Sequence, residues 1–376
     1  MSCKNFNPAP TIAAFKNQTN FTLDQLTDYA NRYLKFRCIN TLIDEILFHT
    51  FTITGVIGLL TYVLMLLSLQ KTKEALSGCT LIYHTAIILL EFPHMVVMIE
   101  WGLVNIYSSY IPTSYTFLVW TRMFAYGWHL ADSAKLSIST LTAFLTTDRF
   151  VAVCFPFKYV KIDQNWVAFC AVIISIVVGS AHVWAIFVVQ IDYDDQLKQY
   201  KSVKTWFEET NFYRFTLNFV YGARIGLCFI IFVLSVTIAV ALRRQSTKLS
   251  TMSTNAKQEW KAKRLVCAFT SIVGACIFVD HLAWVMSKIT IALSTDVDLE
   301  QVISKSNYDQ ALGELEYRWL EETVSHLQAW MGQVVHGWRF FIYLAFNQTM
   351  RSGFFKVISY KNDMVGSSTT NGQTHR

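Results

Sequence analysis

Charge is scarce in this chain: of 376 residues only 15% are Asp, Glu, Lys or Arg, against 53% hydrophobic and 15% aromatic. Soluble domains carry roughly a quarter charged residues, so a composition this greasy excludes an ordinary soluble protein and points to a membrane protein. Proline is rarer still, with five residues beside fifteen glycines, which leaves long helices largely uninterrupted. The opening MSCKNFNPAPTIAAFKNQTN has no sustained apolar run, so no cleaved signal is expected and the first span must act as its own insertion signal. A phosphate-cradling glycine loop, an HExxH zinc helix and a GxSxG elbow are also missing, so catalysis, a cofactor and a metal are not expected. The net charge of +6 is confined mainly to short loops, which argues against a nucleic-acid partner. Of eight cysteines, Cys79, Cys154, Cys170, Cys228, Cys267 and Cys276 fall inside apolar runs and read as small buried hydrophobes. Cys3 and Cys38 lie outside those runs and can pair with each other.

What the chain has in quantity is apolar length. Seven segments, at about 46–70, 79–101, 116–147, 166–190, 212–242, 264–293 and 323–346, each approach or exceed the roughly 20 residues a helix needs to cross a bilayer. Runs of this length span as helices, not barrel strands. An all-α bundle of seven transmembrane helices is therefore expected. Residues 1–44 form a polar tail, 45–346 the membrane domain and 347–376 an inner helix and tail. Lysines and arginines set the orientation. Lys71 and Lys73, then Arg149, Lys158 and Lys161, then Arg243, Arg244, Lys263 and Arg264 all fall in loops expected to face the cytoplasm, whereas WGLVNIYSSYIPTSY has none. The tail thus lies outside, where Asn17 and Asn20 sit in glycosylation sequons.

The stretch from Ser137 to Tyr159, SISTLTAFLTTDRFVAVCFPFKY, runs an apolar helix into the pair Asp148-Arg149. An ionised Arg is costly in hydrocarbon and belongs at the inner water layer, where Asp148 can hold it as a releasable latch. With Pro156 seven residues after Arg149, the stretch resembles the third-helix Asp-Arg-Tyr signature of rhodopsin-like G-protein-coupled receptors, Phe150 replacing the Tyr. WRFFIYLAFNQTMRSGFFKV resembles that family's Asn-Pro-x-x-Tyr and short amphipathic eighth helix, with Tyr343 on the family tyrosine, Arg339 on the Asn and Phe340 on the Pro. Cys276 falls on the sixth-span Cys with Val279 at the Pro, and Arg224 to Cys228 resembles a fifth-span Lys-Leu-Ile-Pro-Cys run without its Pro. The group most similar in these features is that of the invertebrate FMRFamide and myosuppressin receptors and related nematode serpentine receptors.

The departures are specific. Phe124 stands at the third-span disulfide cysteine, Thr61-Tyr62 at Gly-Asn, and Glu91 near the second-span Asp. The prolines that kink spans five, six and seven are missing. The resemblance implies a plasma-membrane receptor that passes an extracellular ligand's binding to a heterotrimeric G protein, and to arrestin through phosphorylation of Ser367 to Thr370. Asp148, Arg149 and Tyr343 would form the switch, and Arg243, Arg244, Lys263 and Arg264 the docking rim. It also sets Glu91 and Arg339 face to face, as an ion pair or as two groups each reaching water separately.

Ionisable groups at membrane depth default to function, because each is costly unless paired or hydrated. Asp132, Lys135, Asp280, His281, Trp284, Gln333 and His336 are accordingly the candidate ligand contacts. Asp132 and Lys135 are three apart on one helix and can instead neutralise each other; Trp284 can instead belong to the interfacial belt. The acids from Asp296 to Glu322 form a solvated loop or steer a cationic ligand such as a peptide ending in Arg-Phe-amide. A neuropeptide is the expected ligand, with a small chemosensory molecule as the alternative and a seven-helix channel or transporter behind both. An amine is disfavoured, since Ala131 holds the family's amine-binding position. A retinal is too, since Gln333 stands where its Lys would be.

Overall fold

The computed structural model describes residues 21–73, 78–107, 115–184, 189–194, 199–204, 206–246, 274–286, 308–337, 339–346 and 350–358, with isolated positions 13 and 272. Helix α1 (Leu23–Thr72) starts at the N-cap Thr22, whose hydroxyl accepts from the Gln25 amide while the Gln25 side chain accepts from the Thr22 N–H. This reciprocal box satisfies two otherwise orphaned donors. At 50 residues α1 is about 75 Å long, more than twice the hydrocarbon core. It runs through residues 44 and 45 without a break, so the expected tail and first span are joined in one rod.

The outer extension of α1 packs beside α8 (Tyr308–Gly337) through Tyr29, Phe36, Ala311 and Leu315, with Phe21, Tyr33 and Tyr308 around them. Arg32 lies 3.0 Å from Asp28 and 3.6 Å from Glu316, and the His326 ring nitrogen is 2.9 Å from Asp44. Burial pushes the Tyr29 phenol up to about 12. Cys38 in this stalk is disulfide-bonded, while Cys3, its expected partner, lies outside the described residues.

Below the stalk the bundle is inverted relative to a soluble protein. Ile53, Val56, Ile57 and Leu60 of α1, and Phe229, Ile230, Phe232 and Val233 of α6 (Asn211–Ser246), point outward and are exposed. Charged Glu91, Arg224 and Arg339 are almost wholly buried. Hydrocarbon as solvent produces this distribution, because apolar side chains gain nothing by leaving it and polar ones must find partners inside. Helix α2 (Gly78–Tyr107) lies close along α1: a Cβ on Gly102 would stand 2.5 Å from the Phe48 carbonyl oxygen. Met65, Met95, Met98 and Tyr62 fill the core between α1, α2, α3 (Tyr115–Cys154) and the later helices.

A single turn, α4 (Pro156–Tyr159), follows α3, and α5 (Gln164–Ser180) is capped by Asp163, whose carboxylate accepts from the Asn165 and Trp166 amides. Helix α5 ends at Ser180, ten residues short of the expected 190. Beyond it β1 (Val189–Asp194) and β2 (Gln199–Lys204) form an antiparallel hairpin, with Val189 opposite Lys204 and Asp194 opposite Gln199. The bundle is all-α as expected, and this hairpin lies outside it. The sixth span is described as α7 (Gly274–Met286), and the seventh as α8 continued by α9 (Arg339–Phe346). Helix α10 (350–358) stands where the eighth helix was expected; its Met350 and Phe354 pack on the inner end of α1.

Candidate functional site

Three polar layers lie along the bundle axis. The outermost is a cavity of about 250 Å³ lined by His129, Asp132 and His182, by Tyr213, Thr216, Leu217, Val220 and Tyr221 of α6, and by Trp284 of α7. Helical spacing places these α6 residues, and Arg224 one turn deeper, on a single stripe facing α3. Asp132 is paired across the bundle: its carboxylate lies 3.6 Å from Arg224 Nη2 and 3.7 Å from His182 Nε2. The Arg224 guanidinium in turn lies over the Trp284 ring, 4.1 Å from its centroid, and Tyr221 packs on that ring at 5.0 Å. Trp284 is a buried wall of the cavity, not a member of an interfacial belt. Asp132 faces the cavity although it stands one residue beyond the family's amine-binding position.

Of the other expected ligand contacts, Lys135, Asp280, His281, Gln333 and His336 lie deeper, in a second layer shielded from the cavity. His336 bridges two carboxylates, with Nδ1 3.0 Å from both oxygens of Glu91 and Nε2 3.8 Å from Asp280. His281 lies 3.8 Å from the same aspartate. Gly332 borders this layer: a Cβ on it would stand in ordinary contact with Asp280 Oδ1, at 3.5 Å, and Lys135 Nζ, at 3.8 Å. Arg339 contacts Glu91 directly, so these two are paired in the structure and do not reach water separately. Tyr62, at the family's Asn position, donates to the His336 carbonyl, and His94 packs edge-on to the His336 ring at 4.6 Å. Pro93 sits inside α2 between Glu91 and His94.

The third layer holds the Asp148–Arg149 pair, expected from the sequence to act as a latch. Arg149 Nη2 donates to the Thr80 hydroxyl of α2 at 2.9 Å, and its Nε lies 3.7 Å from Asp148. Asp148 also accepts from the Tyr159 hydroxyl of α4 at 3.2 Å. Phe150 packs with Ile238 and Leu242 of α6, occupying apolar space where the family tyrosine was expected. Arg243 and Arg244 are exposed in the last turn of α6. Lys263, Arg264, Asn17 and Asn20 lie outside the described residues, as does the Tyr343 side chain, although its backbone belongs to α9.

Arg224, His182, His94, Tyr62 and Thr80 received no role from sequence reasoning. Arg224 carried the clearest signal, an ever-charged residue in an otherwise apolar run. The two hydroxyl partners carried none, since Tyr and Thr are unremarkable in such segments.

The model of the serpentine-type seven-transmembrane G-protein-coupled chemoreceptors called Srv matches residues 51–317. No curated protein matches the chain. The crystal structure of squid rhodopsin is similar with a TM-score of 0.52 at 13% identity, over 89% of each chain, a likeness that concerns the fold alone. Because the family match spans well over half of the 376 residues, across six of the seven expected spans, the chain belongs to the Srv family of serpentine seven-transmembrane G-protein-coupled chemoreceptors.

Proposed function

We propose that this receptor sits in the plasma membrane with its N-terminus outside and detects a small external molecule in the outer cavity. The cavity itself carries the proposal: about 250 Å³ walled by Asp132, two imidazoles, Tyr213, Tyr221 and Trp284. Convergent polar groups among aromatic walls are the usual make-up of a small-molecule site, and this volume lies below the range typical of drug-sized ligands. The chemoreceptor family supports the same reading. Orientation rests on the basic residues Lys71, Lys73, Lys158, Arg243 and Arg244 gathered at one end. Asn17 and Asn20 would then be available for glycosylation.

Binding would favour a state in which the inner ends of α6 and the sixth span move outward, by as much as the ligand's affinities for the two states differ. Arg149, released from Thr80 and Asp148, would meet the G protein, with Tyr343 beneath it and Arg243, Arg244, Lys263 and Arg264 as the rim. Arrestin would read the phosphorylated tail. A neuropeptide of the Arg-Phe-amide type is the second reading. It is favoured by Asp309, Glu314, Glu316, Glu321 and Glu322 on the outer part of α8, which would steer a cation.

The test is a second-messenger assay in cells carrying the receptor with a promiscuous G protein. Small-molecule and amidated-peptide libraries are applied beside Arg149→Ala and Leu217→Trp. Small-molecule responses lost in both variants at unchanged surface level are expected. Responses to peptides alone, indifferent to Leu217→Trp, would replace this reading with the second one.

A further inference from the structure

Asp132 and Arg224 are paired loosely. Their closest side-chain approach is 3.6 Å, and Arg224 Nη2 is 3.5 Å from the Asp132 carbonyl oxygen, both beyond the usual 2.7–3.2 Å of an N–H···O bond. Arg224 Nε, His129 Nδ1 and His182 Nδ1 are buried, and no protein group takes up their hydrogen-bonding capacity. Both imidazoles line the cavity with Asp132, and Arg224 lies immediately beneath it against Trp284.

The charge of this corner is balanced, and that balance decides the ligand class. A simple cation would compete with Arg224 for one carboxylate and leave a buried guanidinium unpaired. A simple anion would do the same to Asp132. Each loss is severe, because a buried charge deprived of its partner is strongly destabilising. A molecule carrying both charges on adjacent carbons avoids both losses. Its ammonium takes Asp132, whose second oxygen faces His182 at 3.7 Å, and its carboxylate accepts from Arg224 and from an imidazole in the tautomer that carries its proton on Nδ1. Leu217, Val220, Tyr221 and Trp284 then offer an apolar wall to whatever side chain follows. We infer that the outer cavity is a site for a zwitterionic α-amino acid with an apolar side chain, inserted into the Asp132–Arg224 pair. This rests on the small-molecule reading of the same cavity and narrows it.

The experiment compares leucine with its decarboxylated counterpart 3-methylbutylamine and its deaminated counterpart 4-methylpentanoate, then surveys the twenty common amino acids. Binding to full-length receptor in lipid nanodiscs is read by thermal shift and by calorimetry. One or more apolar amino acids are expected to raise the melting temperature while the matching amine and acid do not. Asp132→Asn and Arg224→Gln are each expected to weaken that binding on the order of 100-fold. Where either variant fails to fold, the double exchange Asp132→Arg with Arg224→Asp keeps the pair and should bind the zwitterion turned end for end. Leu217→Trp should abolish binding by filling the cavity while leaving the pair intact. The inference is overturned if none of the twenty binds, if the amine or the acid binds as tightly as its parent, or if both single variants leave binding unchanged. If in those cases another small molecule binds and Leu217→Trp removes it, the cavity reading stands without the amino acid. If only peptides bind, both fall.

Discussion

Glu91 and Arg339 meet deep in the bundle, with side-chain exposures of 0% and 2%, so neither can be hydrated when its partner is lost. Removing one member of a buried pair typically costs about 3–5 kcal/mol, a large share of a protein's net stability. Glu91→Arg and Arg339→Glu should each sharply lower surface expression, and the double exchange should restore much of it. Surface labelling that shows no rescue would mean that His336 and Asp280, not the pair, set the cost. Tyr62→Phe is a finer probe. It removes one hydroxyl that donates to the His336 carbonyl and should lower the melting temperature by the equivalent of about 1 kcal/mol. The charged residues of this layer were legible in the sequence because each interrupts an apolar run. Their pairings were less so. Asp132 finds Arg224 across the bundle only because the α6 stripe from Tyr213 to Arg224 is rotated toward α3, and that rotation is set by tertiary packing that local spacing does not encode.

The helices were legible as lengths and less so as ends. Helix α1 continues outward because Thr22 and Gln25 cap it and because Tyr29 and Phe36 find Leu315 on α8, a partner almost three hundred residues away in sequence. The hairpin had a local signal that was passed over: Val189, Ile191 and Tyr193 alternate with Gln190, Asp192 and Asp194, the period of a strand. Close approach of α1 and α2 makes a firm prediction. Gly102→Val would drive a methyl into the Phe48 carbonyl, which is backbone and cannot swing aside, so a loss of at least about 1–3 kcal/mol is expected in thermal unfolding. The stalk gives a pH dependence. Glu322, which contacts the Asn40 side chain, has its carboxyl raised above the ordinary range chiefly by burial. A raised folded-state value favours the protonated form, so this contribution is full below the unfolded pKa and is lost as pH rises through the folded one. Protection factors of α1 residues 23–44, with the intrinsic pH dependence of amide exchange divided out, should therefore rise on acidification from neutral pH, and Glu322→Gln should raise them already at neutral pH and flatten the dependence. Protection in the variant that still rises on acidification would assign the effect to Asp44 and His326 instead.

On the scale of the whole molecule, α3 threads all three layers and α2 joins the middle one to the inner one. Helix α3 carries Asp132 at the cavity, Lys135 one turn deeper beside Asp280, and Asp148-Arg149 at the inner end. Helix α2 carries Glu91 and His94 in the middle and Thr80 three turns further in, where it accepts from Arg149. A shift between α2 and α3 therefore reaches the inner latch without any change in α6, which matters in a chain whose fifth and sixth spans lack the kinking prolines. In the proposed mechanism the Arg149–Thr80 bond belongs to the resting state, and a hydrogen bond to a charged group is worth about 1.5–3 kcal/mol. Thr80→Ala should then raise the unlatched population by about tenfold or more, provided that population is small to begin with. The readout is basal second messenger at matched surface level, with no ligand added. Thr80→Ser, which keeps the hydroxyl, should stay near the parent, and Thr80→Ala combined with Arg149→Ala should be silent, because in the proposed mechanism the released guanidinium is itself the group that engages the G protein. Basal signal unchanged in Thr80→Ala would assign the latch to Asp148 and Tyr159, and Tyr159→Phe would become the variant that releases it.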